Sequence, residues 1–291
     1  MIMNKEKNAK IRGSWYTVNI KALINQTTEN YIRVFKKLIE NDPLVPLQGS
    51  KHISIDKFDF VGGRDNPRMI ILTLCAYDIM DPDAFYDIKK KQQVMVNISP
   101  DVVSNKKDGV LYFVPKTHRL MILKSSKISL KQVVKYFTIG FEMIEEKDEF
   151  DVNVEVSSEL IETIKNSHIL YSLEAQLSYS NSDPSEGFVK LFGSEVKDAG
   201  AEKVNIKMRG GKGRSLKAKD DGLIDAILQL VKSNGTAKAR IKKTQESSPE
   251  TVETKNFPEI VHLEGKQDNL LTVIGKYLTG KFGADGREDK F

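Results

Sequence analysis

Apolar side chains along this chain fall into two rhythms, period 2 and period 3.6, and the changes between them mark out the elements. Tyr16, Val18 and Ile20 alternate as in a strand. Tyr31, Val34, Phe35, Leu38 and Ile39 then share one helical face, and Asn41-Asp42-Pro43 ends that helix. Strand-like pieces follow at Ile53–Val61, Met69–Ala76, Val94–Ile98, Gly109–Val114 and Leu120–Leu123. In the first of these the apolar parity switches from Ile53 and Ile55 to Phe58 and Phe60, which predicts a bulge or a break. Ser129 with Gln132 predicts a capping box for a second helix, whose Leu130, Val133, Val134, Phe137 and Phe141 fall on one side. Phe150, Val152, Val154 and Val156 alternate again, so this half reads as a mostly antiparallel sheet with two or three helices.

The pattern sharpens at Ile169–Lys243. Ile169, Tyr171, Leu173, Ala175, Leu177 and Tyr179 take one parity, and Ser172, Glu174, Gln176 and Ser178 take the other. Asp183 as N-cap, Pro184 at the first helical position and Glu186 two residues on predict a helix that ends by Gly200. Lys203–Arg209 reads as a strand and Gly210–Lys219 as a flexible basic loop. Asp220 or Asp221 caps a helix bearing Leu223, Ile224, Ile227, Leu228 and Val231, which Asn234-Gly235 closes. Thr236–Lys243 is the last strand of this β-α-β-α-β order. If its strands are parallel neighbours, right-handed crossovers put both helices on one side of the sheet. Thr244–Lys255 has a linker's composition. A final helix, Asp268–Leu278, carries Leu270, Leu271, Ile274, Tyr277 and Leu278 on one face, which must bury somewhere. The expected fold class is therefore α+β, with a larger domain from 1–157 and 258–291. A smaller basic β-α-β-α-β domain at 165–243 is inserted before the C-terminal helix, and 244–257 is the linker.

Composition narrows the classes. The 291 residues are 40% hydrophobic and 29% charged, enough apolar content for an ordinary core. No run reaches the roughly 20 apolar residues of a membrane span, and the basic N-terminus has no apolar segment behind it. A single cysteine, Cys75, excludes an internal disulfide and a cysteine-based zinc site. A cytoplasmic protein is expected. The net charge of +5 is unevenly placed: residues 202–243 hold 12 Lys/Arg against 4 Asp/Glu, leaving 33 against 36 elsewhere.

Period-2 geometry turns that excess into a surface. With Val204, Ile206 and Met208 facing in, Lys203, Asn205, Lys207 and Arg209 face out; with Ala237, Ala239 and Ile241 facing in, Thr236, Lys238, Arg240 and Lys242 face out. Lys243 ends the second stripe, and the loop adds Lys212, Arg214, Lys217 and Lys219. Like charges opposed on one sheet face repel, so the arrangement favours an anionic ligand, and a polyphosphate backbone is the expected one. The competing reading is that lysines simply keep a solvated strand face soluble. No Phe, Tyr or Trp lies in 203–243, which argues against base stacking and for phosphate contacts on duplex with little sequence preference.

Catalytic signals are thin. Gly210-Gly211-Lys212-Gly213-Arg214-Ser215 does not meet the GxxxxGK[ST] pattern of a phosphate loop. Asp78, Asp81 and Asp83 read as a turn around Pro82 rather than a cation site. His52, His118, His168 and His262 have no ligand spacing, and His118 beside Arg119 reads as surface. Asp56, Asp59 and Lys57 offer part of a metal nuclease's set, but no second acidic element is placed to match. Catalytic residues, metal and cofactor are all expected to be none.

Across Leu177–Ile241 the pattern LSYSNSDPSEGF, the basic strand, GGKGRSLKAKDDG and NGTAKARI resembles uncharacterised prophage and defence-island proteins, and more distantly the RexA-like phage-exclusion proteins. That resemblance implies a two-domain homodimer that binds double-stranded DNA without sequence specificity and acts in phage exclusion. It also implies, by resemblance alone, a membrane effector protein as partner. The leading expectation is a DNA-binding sensor or clamp. The alternatives are a metal-dependent nuclease or toxin of a defence system, and a protein-interaction module whose basic face meets an acidic partner.

Overall fold

The computed structural model describes residues 10–99, 101–145, 150–178, 199, 201, 203–211, 214–266 and 269–283. Among these residues, five helices and many antiparallel strands make a mixed α+β protein with a large curled sheet. The first sheet is built around β1 (Lys10–Ala22), whose N-terminal half pairs with β14 (Ile260–Lys266) and whose C-terminal half pairs with β9 (Phe150–Val154). On its other side run β8 (Arg119–Leu123), β7 (Val103–Val114), β4 (Met69–Ile79), β3 (Lys51–Val61) and β2 (Val45–Pro46), all antiparallel. A small hairpin, β5 (Phe85–Asp87) with β6 (Gln92–Val94), leaves this sheet between β4 and β7.

Helices α1 (Thr28–Asn41) and α2 (Leu130–Met143) cover one face of the first sheet. Local chemistry sets their ends. The Thr27 side chain accepts from the Asn30 N–H at the start of α1, and Asp42 turns left-handed (φ 37°) to stop it. Ser129 and Gln132 form the full capping box of α2. The bulge expected in β3 falls between Ile55 and Lys57. Within this core Phe35 stacks on Phe113 with centroids 3.8 Å apart. The C-terminal helix α5 (Leu270–Phe282) buries Ile274 and Leu278 on the opposite face, against Trp15, Met69, Val114 and Met121.

The second sheet has the order β11 (Lys203–Arg209), β10 (Ile169–Ser178), β12 (Gly235–Lys242), β13 (Glu250–Glu253). Leu173, Ala175, Ala237, Ala239 and Ile241 bury against α3 (Ser158–Lys165) and α4 (Leu223–Asn234). Three expectations need correction. β11 and β12 are parallel to each other but not adjacent, because β10 lies between them and is antiparallel to both. The stretch 244–257, expected as a linker, contains β13, an edge strand that reads as polar because only Val252 of its four residues is buried. Gly222, not Asp220 or Asp221, is the N-cap of α4; Asp225 instead accepts from the Asp221 N–H. The helix expected from Asp183 to Gly200 lies outside the described residues.

A buried polar network joins the two sheets. Arg119 of β8 donates from Nε to Glu155 at 2.8 Å and from Nη1 to Asn19 Oδ1 at 2.6 Å. Asn19 in turn donates to the Ser233 carbonyl, Lys21 to Asn234 Oδ1, and Ser233 Oγ to the second oxygen of Glu155. Arg119 is therefore core, and His118, expected at the surface, is half-buried and stacks on Tyr31. Burial pushes the Glu155 carboxyl up, while the Arg119 guanidinium and the Ser233 hydroxyl pull it back. So many directional bonds in a low-dielectric seam fix one relative placement of the sheets.

Candidate nucleic-acid interface

Antiparallel register arranges the outer face of the second sheet into rungs. One rung runs Lys207–Glu174–Lys238–Glu253, the next Arg209–Ser172–Arg240–Thr251, and a third Asn205–Gln176–Thr236. The outward parity expected for Lys203, Lys207, Arg209, Lys238 and Arg240 is realised, and all five are exposed.

The first rung alters the electrostatics. Because β10 separates the two basic strands, Lys207 and Lys238 do not oppose each other; Glu174 lies between them. Lys207 Nζ is 2.7 Å from Glu174, Lys238 is 3.3 Å from Glu253, Lys243 is 2.9 Å from Glu250, and Lys203 is 3.5 Å from Asp151. The expected repulsion between stripes is thus relieved by carboxylates that only the pairing register brings into place. The Lys207 hydrogen bond holds the Glu174 carboxyl below its usual range, and Lys255 with Lys238 does the same for Glu253.

The remaining candidates gather at one end of the sheet. Arg209, Arg214, Lys217, Lys219, Arg240 and Lys242 make no ion pair within 4 Å among the described residues. Arg209 and Arg240 pair in register with the same residue, Ser172. Lys242 pairs with Ile169, one end of β10, and the loop returns beside it, with Leu216 bridging Leu170. Lys212 lies outside the described residues.

The described residues on either side of 212–213 in that loop are anchored to β10. Gly210 N donates to the Tyr171 carbonyl, Leu216 N to the Leu170 carbonyl, and Leu170 N to Ser215 Oγ. A Cβ on Gly210 would stand 2.1 Å from the Arg214 carbonyl oxygen, so only glycine admits this close approach. Past the loop, Lys165 of α3 bonds Asp220 at 2.7 Å and Asp225 at 2.9 Å, and these carboxylates push its ammonium up. Both acids are thereby directed toward α3.

Tyr171 departs from its expected parity. A bulge between Leu170 and Ser172 gives Leu170 the core position and leaves Tyr171 half-buried, with the Arg240 guanidinium 5.6 Å from its ring centre. An aromatic group thus joins the basic end from a strand outside 203–243. Two contiguous grooves, about 340 Å³ and 320 Å³, run along the neighbouring rungs and share Gln176, Asn205 and Thr236.

The catalytic fragments resolve differently. Asp56 does gain a second acid: Lys106 of β7 sits 2.9 Å from Asp56 and 3.5 Å from Asp108. The lysine stands between the carboxylates, where a metal would have to bind, and the two acids push its ammonium up. Asp81 Oδ1 accepts from the Asp83 N–H, the turn geometry expected around Pro82. Among the described residues no group of three or more His, Cys, Asp or Glu is placed to hold a metal, and no helix is long and apolar enough to cross a membrane.

A family model described as a domain of unknown function (DUF4747) matches residues 12–278, a span that takes in both large sheets and most of α5. No curated protein matches the chain.

Proposed function

The chain belongs to the DUF4747 family, and for this member we propose non-sequence-specific binding of double-stranded DNA through the Arg209–Arg240 end of the second sheet. The role we propose for it is a sensor or clamp in phage exclusion, the setting implied by the resemblance of Leu177–Ile241 to RexA-like proteins. A homodimer, implied by the same resemblance, doubles the basic face and favours a clamp.

The reading rests on the six cations that share one sheet end and make no ion pair within 4 Å among the described residues. Strands lie about 4.8 Å apart, so the β11 and β12 rows are separated by roughly 10 Å. That spacing is comparable to the groove widths of B-DNA, about 6 and 12 Å, and lets the two rows meet phosphates on either side of one groove. Arginine and lysine on a strand face contact phosphates without reading bases. Among the described residues the aromatic ring at this end is Tyr171, which already faces Arg240, and this argues against a stacking platform for a single strand.

Six phosphate contacts predict a slope of log K on log salt of roughly −5. Gel shifts at two salt concentrations with duplex, single-stranded and RNA probes, plus a magnesium lane for cleavage, test this. Arg209→Ala, Lys217→Ala, Lys219→Ala and Arg240→Ala together are expected to weaken every duplex sequence alike and to flatten the slope by about 3 to 4. Lys203→Ala, Lys207→Ala, Lys238→Ala and Lys243→Ala, which remove ion-paired lysines, are expected to do much less. Equal effects of the two sets overturn the assignment, and cleavage in the magnesium lane favours the nuclease reading.

A further inference from the structure

Between β4 and β7 the chain spends residues 80–102 on an arm that has no core. Among its described residues none is buried, yet Ile88 is 74% exposed and Met95 77%, with Tyr86, Val96 and Val102 also exposed. A two-stranded hairpin is marginal in water by itself, and so much outward apolar surface on so small an element marks a contact site.

The tip is ordered and its charge is mostly positive, three lysines against the one carboxylate of Asp87. Asp87 Oδ1 accepts from the Lys89 and Lys90 N–H groups at 2.8 and 2.9 Å, and Lys91 N donates to the Asp87 carbonyl at 2.8 Å. This local bonding occupies the only acid at the tip and leaves Ile88, Lys89, Lys90 and Lys91 exposed. None of the three lysines has an ion pair among the described residues. The arm is also remote from the basic sheet: β7 runs twelve residues from Val103 at the arm to Val114, which pairs with Arg119 at the junction of the sheets. That length is about 35 Å, which sets the arm apart from the basic end of the second sheet.

We propose that the β5–β6 arm docks tip-first on a membrane surface rich in anionic lipid headgroups, with Ile88 entering the headgroup layer and Lys89–Lys91 meeting its charge. Apolar side chains beside clustered lysines are the combination that binds such surfaces. The charge complementarity favours lipid over an uncharged protein surface, and the aliphatic tip favours it over stacked bases.

The test is co-sedimentation of the full chain with vesicles of phosphatidylcholine alone and of phosphatidylcholine mixed with phosphatidylserine. Binding is expected only to the mixed vesicles. Lys89→Gln, Lys90→Gln and Lys91→Gln together are expected to lower partitioning on the order of 100-fold, about 5-fold per lysine, and Ile88→Asp to abolish it. These side chains support no core, so the melting temperature and duplex affinity of the variants stay unchanged. Arg209→Ala with Lys217→Ala, Lys219→Ala and Arg240→Ala keeps vesicle binding, which separates the arm from the basic sheet. The proposal is overturned if the wild type ignores anionic vesicles, or if the tip variants bind them as well as the wild type does. Loss of a dimer, or of duplex affinity, in the tip variants overturns it too, in favour of a second copy or of nucleic acid.

Discussion

Removing the Glu155 carboxylate while keeping its bulk, as Glu155→Leu does, strips the buried Arg119 guanidinium of its counter-ion. Arg119 and Glu155 have side chains only 3% and 1% exposed, so solvent cannot replace what is lost. Breaking a buried pair from one side costs about 3–5 kcal/mol. At roughly 2–4 °C per kcal/mol for a chain of this class, the melting temperature should fall by about 6–20 °C. Glu155→Gln is the diagnostic companion. Its amide oxygen still accepts from Arg119 Nε and its NH₂ donates to Ser233 Oγ, so it loses the charge but keeps the hydrogen bonds and should cost less than Glu155→Leu. Burial raises the Glu155 carboxyl, with Arg119 and Ser233 partly offsetting it. The pH dependence follows from the same shift. A folded pKa above the usual 4.5 means the native state holds the proton more tightly, so stability from this group is lost as pH rises through the window above 4.5. Glu155→Gln should remove that decline. The double variant Arg119→Met/Glu155→Leu should recover most of the loss, since neither buried charge remains. Calorimetry with circular dichroism reads all four proteins. A shift under about 3 °C for Glu155→Leu, or no recovery in the double variant, would refute the claim that this ion pair sets the seam between the sheets.

Three further outcomes are expected. Glu174→Gln frees Lys207 and removes the negative charge at the centre of the basic face; duplex affinity should rise several-fold and the salt slope steepen by about 1 in gel shifts at neutral pH. Gly235→Ala places a Cβ 2.0 Å from the Gln176 carbonyl oxygen, where backbone must move, so a loss of about 1–3 kcal/mol is expected in urea unfolding. Burial raises the Cys75 thiol, with Ser54 only partly offsetting it, so a thiol reagent at neutral pH should label the native protein far more slowly than the unfolded chain.

Features set by neighbours in sequence were legible from sequence. The Ser129–Gln132 box, the Asp42 stop and the bulge after Ile55 each depend on side chains a few positions apart. Pairing partners were not. Glu174 was assigned the outward face correctly, but its role as counter-ion to Lys207 depends on β10 being the central strand, which no local pattern states. His118 reads as surface in Thr-His-Arg because nothing local states that Tyr31 will stack on it or that Glu155 and Asn19 will enclose its neighbour Arg119. Two elements carry only faint local signals: Val261, Leu263 and Gly265 alternate in β14, and Ser157 caps Leu160, Ile161 and Ile164 in α3. Both are short, and their neighbours' polar composition outweighed them. Tyr171 shows the opposite limit, since a one-residue bulge reassigned it without leaving a trace in the alternation.

The pairing of Lys10 with Lys266 has a consequence for how the protein is made. Synthesis proceeds at roughly 5–20 residues per second, so β1 waits roughly 12–50 s after leaving the ribosome before β14 exists to pair with its N-terminal half. During that interval its backbone donors and acceptors form an open template beside Trp15, the kind of edge that recruits other chains. The second sheet, complete by Glu253, has time to fold first and so deliver β14 to its place. A nascent chain halted before residue 260 would retain most of its core yet still expose the strand on which aggregation begins.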